Sequence, residues 1–277
     1  MRNISPAPAP APAPSRPASA RTGSPSGYTS IAVDVGGVIY YDEPFDLAWI
    51  QGTYERIRHV EPGLTVSLFL EHISGFYRGE AGTFLSQPPA RDSWLDVRQR
   101  WTSLVQPIPG AVDAIATLTQ HLPVCIVANQ PPECQTALQE LGVGQRVELV
   151  AIDTVVGMSK PDPRFFRWAF DQLGWKASEV LVIGDRPDHD ATPALELGCQ
   201  SALLMPDDCW LAPDKLAAGI EDTYRAVRKD LRILRSRPAE QASWSLASLS
   251  DIVPSRQKRR RTSGVGCGLD HHNERDA

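Results

Sequence analysis

Short runs of apolar, largely β-branched residues recur along this chain and alternate with stretches of helical period. The runs are Tyr28–Val33, ending at Asp34; Val124–Val127, ending at Ala128-Asn129; Val147–Ile152; Val180–Ile183, ending at Gly184-Asp185; and Ser201–Met205. Between them lie Ala111–Gln120, Glu133–Leu141, Arg164–Leu173 and Asp188–Leu197. The last three stop at or before a glycine, the residue that most easily adopts the left-handed conformation in which helices end. Runs without polar alternation read as strands buried on both faces. Strands that alternate with helices of this length predict an α/β fold, a Rossmann-like parallel sheet with helices on both faces.

Residues 42–107 break the rhythm. Phe45, Trp49, Ile50, Tyr54, Ile57, Leu68, Phe69, Ile73, Phe76, Tyr77, Trp94, Val97 and Trp101 fall at helical intervals with no strand pattern among them, which predicts a helical insertion above the sheet. Its aromatics are expected to be core rather than a ligand platform. Residues 1–27 hold seven of the 24 prolines and read as a disordered Pro/Ala-rich arm, and residues 255–277 as a disordered basic tail. The division expected is therefore 28–41 with 108–254 as the core and 42–107 as the insertion.

Charge narrows the function. Of a net charge of −5, the two tails carry +3 each, leaving 19 basic against 30 acidic residues and −11 on residues 28–254. A surface that acidic repels a phosphate backbone, so nucleic acid is not an expected partner. The longest apolar run, Val124–Ala128, is too short to cross a bilayer, and the first residues have no apolar signal region, so no membrane partner and a cytoplasmic location are expected. The five cysteines are odd in number and lack C-x-x-C spacing, which argues against a disulfide framework and a structural zinc site.

In an open parallel sheet, ligands bind beyond the carboxyl ends of the strands. Asp34, Asn129 and Asp185 each end a predicted strand, and Lys160 follows another in a GMSKPDP loop. Four polar groups from four elements would converge on one point.

With the segments IAVDVGGVIYYD, VCIVANQ, GMSKPDPRFF and VLVIGDRPDHDATPALELG, spaced by 94, 32 and 25 residues from Asp34 to Ala128, Lys160 and Asp185, the chain resembles the haloacid-dehalogenase-like hydrolase superfamily over about residues 28–254. The resemblance implies a capped phosphatase, with 42–107 as the cap and the Phe76–Glu80 stretch helping to select the substrate. It implies Asp34 as nucleophile and Lys160 as a catalytic cation that also binds phosphate with Asn129 and Gly37. It further implies Mg²⁺ held by Asp34, the Gly36 carbonyl, Asp185 and Asp190, with Asp190 orienting a bound water or Lys160. The chemistry is consistent: a carboxylate approaches a phosphate dianion only if cations offset the repulsion, and Mg²⁺ prefers oxygen ligands. An aspartyl-phosphate would form on Asp34 and be hydrolysed by water.

Two positions depart from the family pattern. Gly36 stands where most family phosphatases carry a second Asp that protonates the leaving oxygen, and Ala128 stands where Ser or Thr contacts phosphate. Three activities remain open: a Mg²⁺-dependent phosphatase acting on a small phosphorylated metabolite such as a sugar phosphate, a binding or regulatory protein on a catalytically weak hydrolase fold, and a haloacid dehalogenase. Asp188, His189, His271-His272 and the basic run at 258–261 are expected to be solvated bystanders.

Overall fold

The structure, a computed structural model, describes residues 25–205, 209–235 and 244–253. The predicted tails therefore lie almost wholly outside the described residues, as do His271, His272, Cys267 and the basic run.

Six strands form one parallel sheet: β1 (Ser30–Val33), β2 (Val124–Ala128), β3 (Leu149–Ile152), β4 (Val180–Gly184), β5 (Gln200–Leu204) and β6 (Trp244–Leu246), in the order β3-β2-β1-β4-β5-β6. Ile31 of β1 registers with Val124 on one side and Leu181 on the other. The chain builds outward from β1 through β2 and β3, returns to β4 on the opposite side of β1, and builds outward again. The order reverses between β1 and β4, and it is there that a parallel sheet leaves a crevice at its carboxyl edge.

Strand alternation divides the core into two layers. Ile31, Val33, Ile126, Ile152, Leu181 and Ile183 pack on one face, while Ala32, Cys125, Val127, Ala151 and Val182 pack on the other. Both faces are covered, which accounts for the unbroken apolar runs. The helices are α1 (Glu43–Val60), α2 (Val66–Tyr77), α3 (Pro88–Gln99), α4 (Trp101–Leu104), α5 (Ala111–Leu118), α6 (Glu133–Glu140), α7 (Asp153–Val156), α8 (Pro163–Leu173), α9 (Thr192–Glu196) and α10 (Ile220–Arg235). α8 buries Phe165, Phe166, Ala169 and Phe170 on the second face. It is capped by the Asp162 carboxylate, which accepts the Arg164 N–H at 2.9 Å, and it ends at Gly174 in the left-handed region at φ 67°.

α1 to α4 occupy the stretch read as an insertion and contain no strand. Phe45, Tyr54, Phe69 and Trp101 are buried in the same apolar cluster as the first sheet face, so most of these aromatics are core as expected. Phe45 stacks on Trp101 with ring centroids 3.9 Å apart, and the Trp49 indole N–H donates to the Ala90 carbonyl at 2.7 Å, tying α1 to α3.

The fold differs from the sequence reading at several elements, among them the short α7, which was not expected. β6 and α10 extend the sheet and its covering layer beyond the last element expected. Asp188–Leu197 is not one helix: a wide π-type turn at Pro187–Ala191 precedes the short α9, and the Thr192 N–H reaches back to the Pro187 carbonyl. β1 and β3 start at Ser30 and Leu149, each two residues later than expected.

Candidate active site

Each group singled out from the sequence lies at the carboxyl edge of the sheet. Asp34 follows β1, its N–H bonded to the Ile183 carbonyl at 2.9 Å, and Asp185 follows β4. Lys160, only 3% exposed, places its ammonium 2.8 Å from Asp34 Oδ1 and 2.6 Å from Asp190 Oδ1. Asp190 reaches it because the wide turn doubles the chain back. The Asp190 N–H bonds the Arg186 carbonyl at 2.8 Å, and Asp190 Oδ2 accepts the Arg186 N–H at 3.0 Å. π-type turns of this kind are frequent at functional sites.

The Asn129 side chain engages the Lys160 backbone. Its Nδ2 donates to the Lys160 carbonyl at 2.8 Å and its Oδ1 accepts the Lys160 N–H at 2.9 Å, so both ends of the amide clamp the lysine backbone. Gly37 is likewise engaged, its N–H bonded to the Tyr40 carbonyl at 2.9 Å. Its φ of +67° and the 2.5 Å between a notional Cβ and Asp185 Oδ2 leave room for glycine alone. Gly36 faces a different neighbour. A Cβ there would lie 2.6 Å from Asp42 Cγ, so the Asp42 carboxyl fills the volume a side chain at 36 would need.

Electrostatics set the site apart from the rest of the core. Burial, together with Asp190 and Asp185, pushes Asp34 up from the usual carboxylate range against the pull of Lys160, and burial with Asp190 pushes Asp185 up to about 6. The two carboxylates hold Lys160 well above its ordinary value despite its burial, so the lysine is charged. Three carboxylates face one ammonium, an excess of negative charge in a buried place. Asp34, Asp185 and Asp190 each offer an oxygen within 4.8 Å of the others. An all-oxygen donor set with surplus negative charge suits a hard divalent cation, so the residues present fit a metal. His189, expected to be a solvated bystander, is half-buried, and burial and Arg186 push it down to about 4, leaving it neutral at pH 7.

A family model described as haloacid dehalogenase-like hydrolase matches residues 28–198. The chain belongs to that family. A haloacid dehalogenase-like family hydrolase from Deinococcus radiodurans R1, solved with bound phosphate and sodium, shares the fold at a TM-score of 0.55 and 20% identity, over 82% of this chain and 93% of that one. A haloacid dehalogenase-like phosphatase from Thermococcus onnurineus does so at a TM-score of 0.52 and 19% identity, over 73% and 97%. Among curated relatives, a phosphoserine phosphatase of Thermus thermophilus is 30% identical over 110 residues, 38% of this chain and 44% of that protein. An N-acetylmuramic acid 6-phosphate phosphatase of Pseudomonas aeruginosa is 28% identical over 166 residues, 56% and 73%. The chain spans under half the length of the first curated relatives it matches.

Sequence reasoning did not single out Asp42, Gln130 or Arg228. Gln130 Nε2 donates to Asp42 Oδ1 at 3.1 Å, and its own Oε1 accepts the Tyr40 hydroxyl at 3.2 Å. Arg228 of α10 pairs with Glu43 at 2.9 Å, and Tyr224 donates to Asp46 at 2.6 Å, which ties α10 to the start of α1. Gln130 adjoins Asn129 and Asp42 closes the first motif, so adjacency was the available signal. No described helix is long and apolar enough to cross a membrane.

Proposed function

We propose that this chain is a Mg²⁺-dependent phosphatase that hydrolyses a small phosphorylated metabolite of the sugar-phosphate class through an aspartyl-phosphate on Asp34. The observation that carries the reading is the gathering of Asp34, Asp185 and Asp190 around a buried lysine where the strand order reverses. Relatives named for glyceraldehyde 3-phosphate, N-acetylmuramic acid 6-phosphate and ribulose-1,5-bisphosphate support the substrate class.

Asp34 attacks phosphorus in its ionised form, which Lys160, 2.8 Å from its Oδ1, favours against the effect of burial, and the same ammonium offsets charge on the incoming phosphate. Asp190 spends one oxygen on Lys160 and the other on the Arg186 N–H, so it anchors the lysine, while Asp34 and Asp185 are the carboxylates that would hold the metal. A bound Mg²⁺ supplies charge stabilisation to the phosphoryl oxygens. Asn129 fixes the Lys160 backbone from two sides, and its side chain is a positioning group. On this reading α1 to α4 form the cap. A cavity of 410 Å³ between α1 and α3, bordered by Asp46, Trp49, Leu85, Ala90, Arg91 and Trp94, offers a mainly apolar lining with two charged groups for the organic part of the substrate.

The test is a phosphate-release screen over phosphorylated metabolites with and without Mg²⁺, repeated on Asp34→Asn. Turnover is expected only with Mg²⁺ and is expected to vanish in the variant while its circular dichroism stays unchanged. Metal-independent release, or wild-type turnover in Asp34→Asn, would overturn the reading.

A further inference from the structure

Transfer of a phosphoryl group from an alkyl ester leaves an alkoxide unless a nearby acid supplies a proton. Most ionisable groups at this site are committed. Lys160 is held by Asp34 and Asp190, both oxygens of Asp190 are bonded, and Asp46 accepts from Tyr77 at 3.4 Å and Tyr224 at 2.6 Å.

Asp185 is one of the two carboxylates assigned to the metal, and Asp42 has neither commitment. It stands at the N-cap of α1, where an Asp ordinarily accepts a backbone N–H of the first turn, yet its side chain makes no such bond. It turns instead toward Gly36, two residues from the nucleophile, and occupies the space of the side chain that Gly36 lacks. Oδ1 is held by Gln130 Nε2 at 3.1 Å, and Oδ2 has no hydrogen-bond partner among the described residues. Gln130 is itself fixed: its N–H donates to Asp153 at 2.9 Å, its carbonyl accepts from the Thr154 hydroxyl at 2.8 Å, and its Oε1 accepts from Tyr40. A carboxyl with one oxygen anchored and the other unbonded, packed against Gly36 two positions after the nucleophile, is preorganised for proton exchange.

We propose that Asp42 is a further catalytic residue, the proton donor to the leaving oxygen and the base for the attacking water, delivered from the start of α1 into the space left by Gly36. The inference rests on the phosphatase reading. An Asp34 oxygen forms a bond to phosphorus as the ester P–O bond breaks, its electron pair going to the leaving oxygen, which takes the Asp42 proton and departs as the alcohol. Water then attacks the aspartyl-phosphate, Asp42 accepts its proton, and the Asp34–phosphorus bond breaks with its electron pair returning to the Asp34 carboxylate. Inorganic phosphate leaves and both side chains are restored. Because Asp42 blocks the position, Gly36→Asp alone would crowd the site without adding a donor. The backbone at Gly36 is outside the left-handed region, so an L side chain fits there once Asp42 is shortened.

The experiment compares the full-length protein with Asp42→Asn on a primary alkyl phosphate and on p-nitrophenyl phosphate, whose leaving group needs no proton. Asparagine keeps the shape and the acceptor for Gln130. The alkyl rate is expected to fall by about 10²–10⁴-fold. On the aryl ester, release of nitrophenolate in the first turnover survives as a burst equal to the enzyme concentration, because the second step still lacks its base. The swapped variant, Gly36→Asp with Asp42→Ala, is expected to regain alkyl turnover. Equal losses on both esters without a burst, in a folded Asp42→Asn protein, would overturn the inference and leave the phosphatase reading standing. A wild-type protein inactive on both esters and on the metabolite screen would overturn that reading and this inference with it.

Discussion

At the scale of single residues, the site depends on close approaches that few side chains tolerate. Gly37 combines a left-handed backbone with contact to Asp185. Gly37→Ala is therefore expected to lose about 1–2 kcal/mol from the backbone alone and to displace Asp185, so that thermal melting falls and turnover falls with it. Wild-type melting and turnover in this variant would contradict the account. Asp185 also sets a pH dependence. Burial and Asp190 push it up to about 6 from an ordinary value near 3.8, so between those values the folded chain keeps a proton that the unfolded chain has lost. This group's contribution makes the cation-free protein less stable as pH rises through that window. A divalent cation competes for the same carboxylate and needs it ionised. Added Mg²⁺ is accordingly expected to raise the melting temperature more at pH 7.5 than at pH 5, and an equal shift at both would contradict the placement of the metal at Asp185.

At the scale of elements, β1, β2 and β4 were legible because each is buried along its whole length, and a run such as Val180–Ile183 leaves no room for polar alternation. The convergence of Asp34, Lys160 and Asp185 followed from strand ends alone. The direction of side chains did not. Asp42 stands at the N-cap of α1, and only the packed structure shows its side chain turned toward Gly36. Asn129 follows directly on a strand as expected, but the Lys160 backbone captures its amide. α10 and β6 escaped notice because the sheet pattern ends at β5 and the intervening polar stretch has no strand to frame it. Yet α10 carries Arg228, which pairs with Glu43, a residue only 3% exposed, at the entrance to α1. Arg228→Met removes the guanidinium that pairs with a buried carboxylate and is expected to lower the stability measured by urea unfolding. Pairing it with Glu43→Gln should recover most of the loss. A cost equal to that of a surface substitution would show that the pair does not tie α10 to α1.

At the scale of the whole molecule, the first sheet face, α1, α2 and α4 contribute to one continuous apolar cluster, so these helices and the sheet are packed as a unit. No group invoked in the chemistry lies in residues 1–24 or 254–277. A chain retaining residues 25–253 is therefore expected to keep its turnover per folded molecule, measured against the full-length protein, and a large drop would give the terminal segments a part in the site. The central claim is that Asp34 carries the phosphoryl group. The most direct measurement is acid quenching of the protein during turnover of a ³²P-labelled substrate, followed by peptide mapping. The account predicts label on the peptide containing Asp34 and none in Asp34→Asn; steady turnover with no labelled protein, or label on another residue, would contradict it.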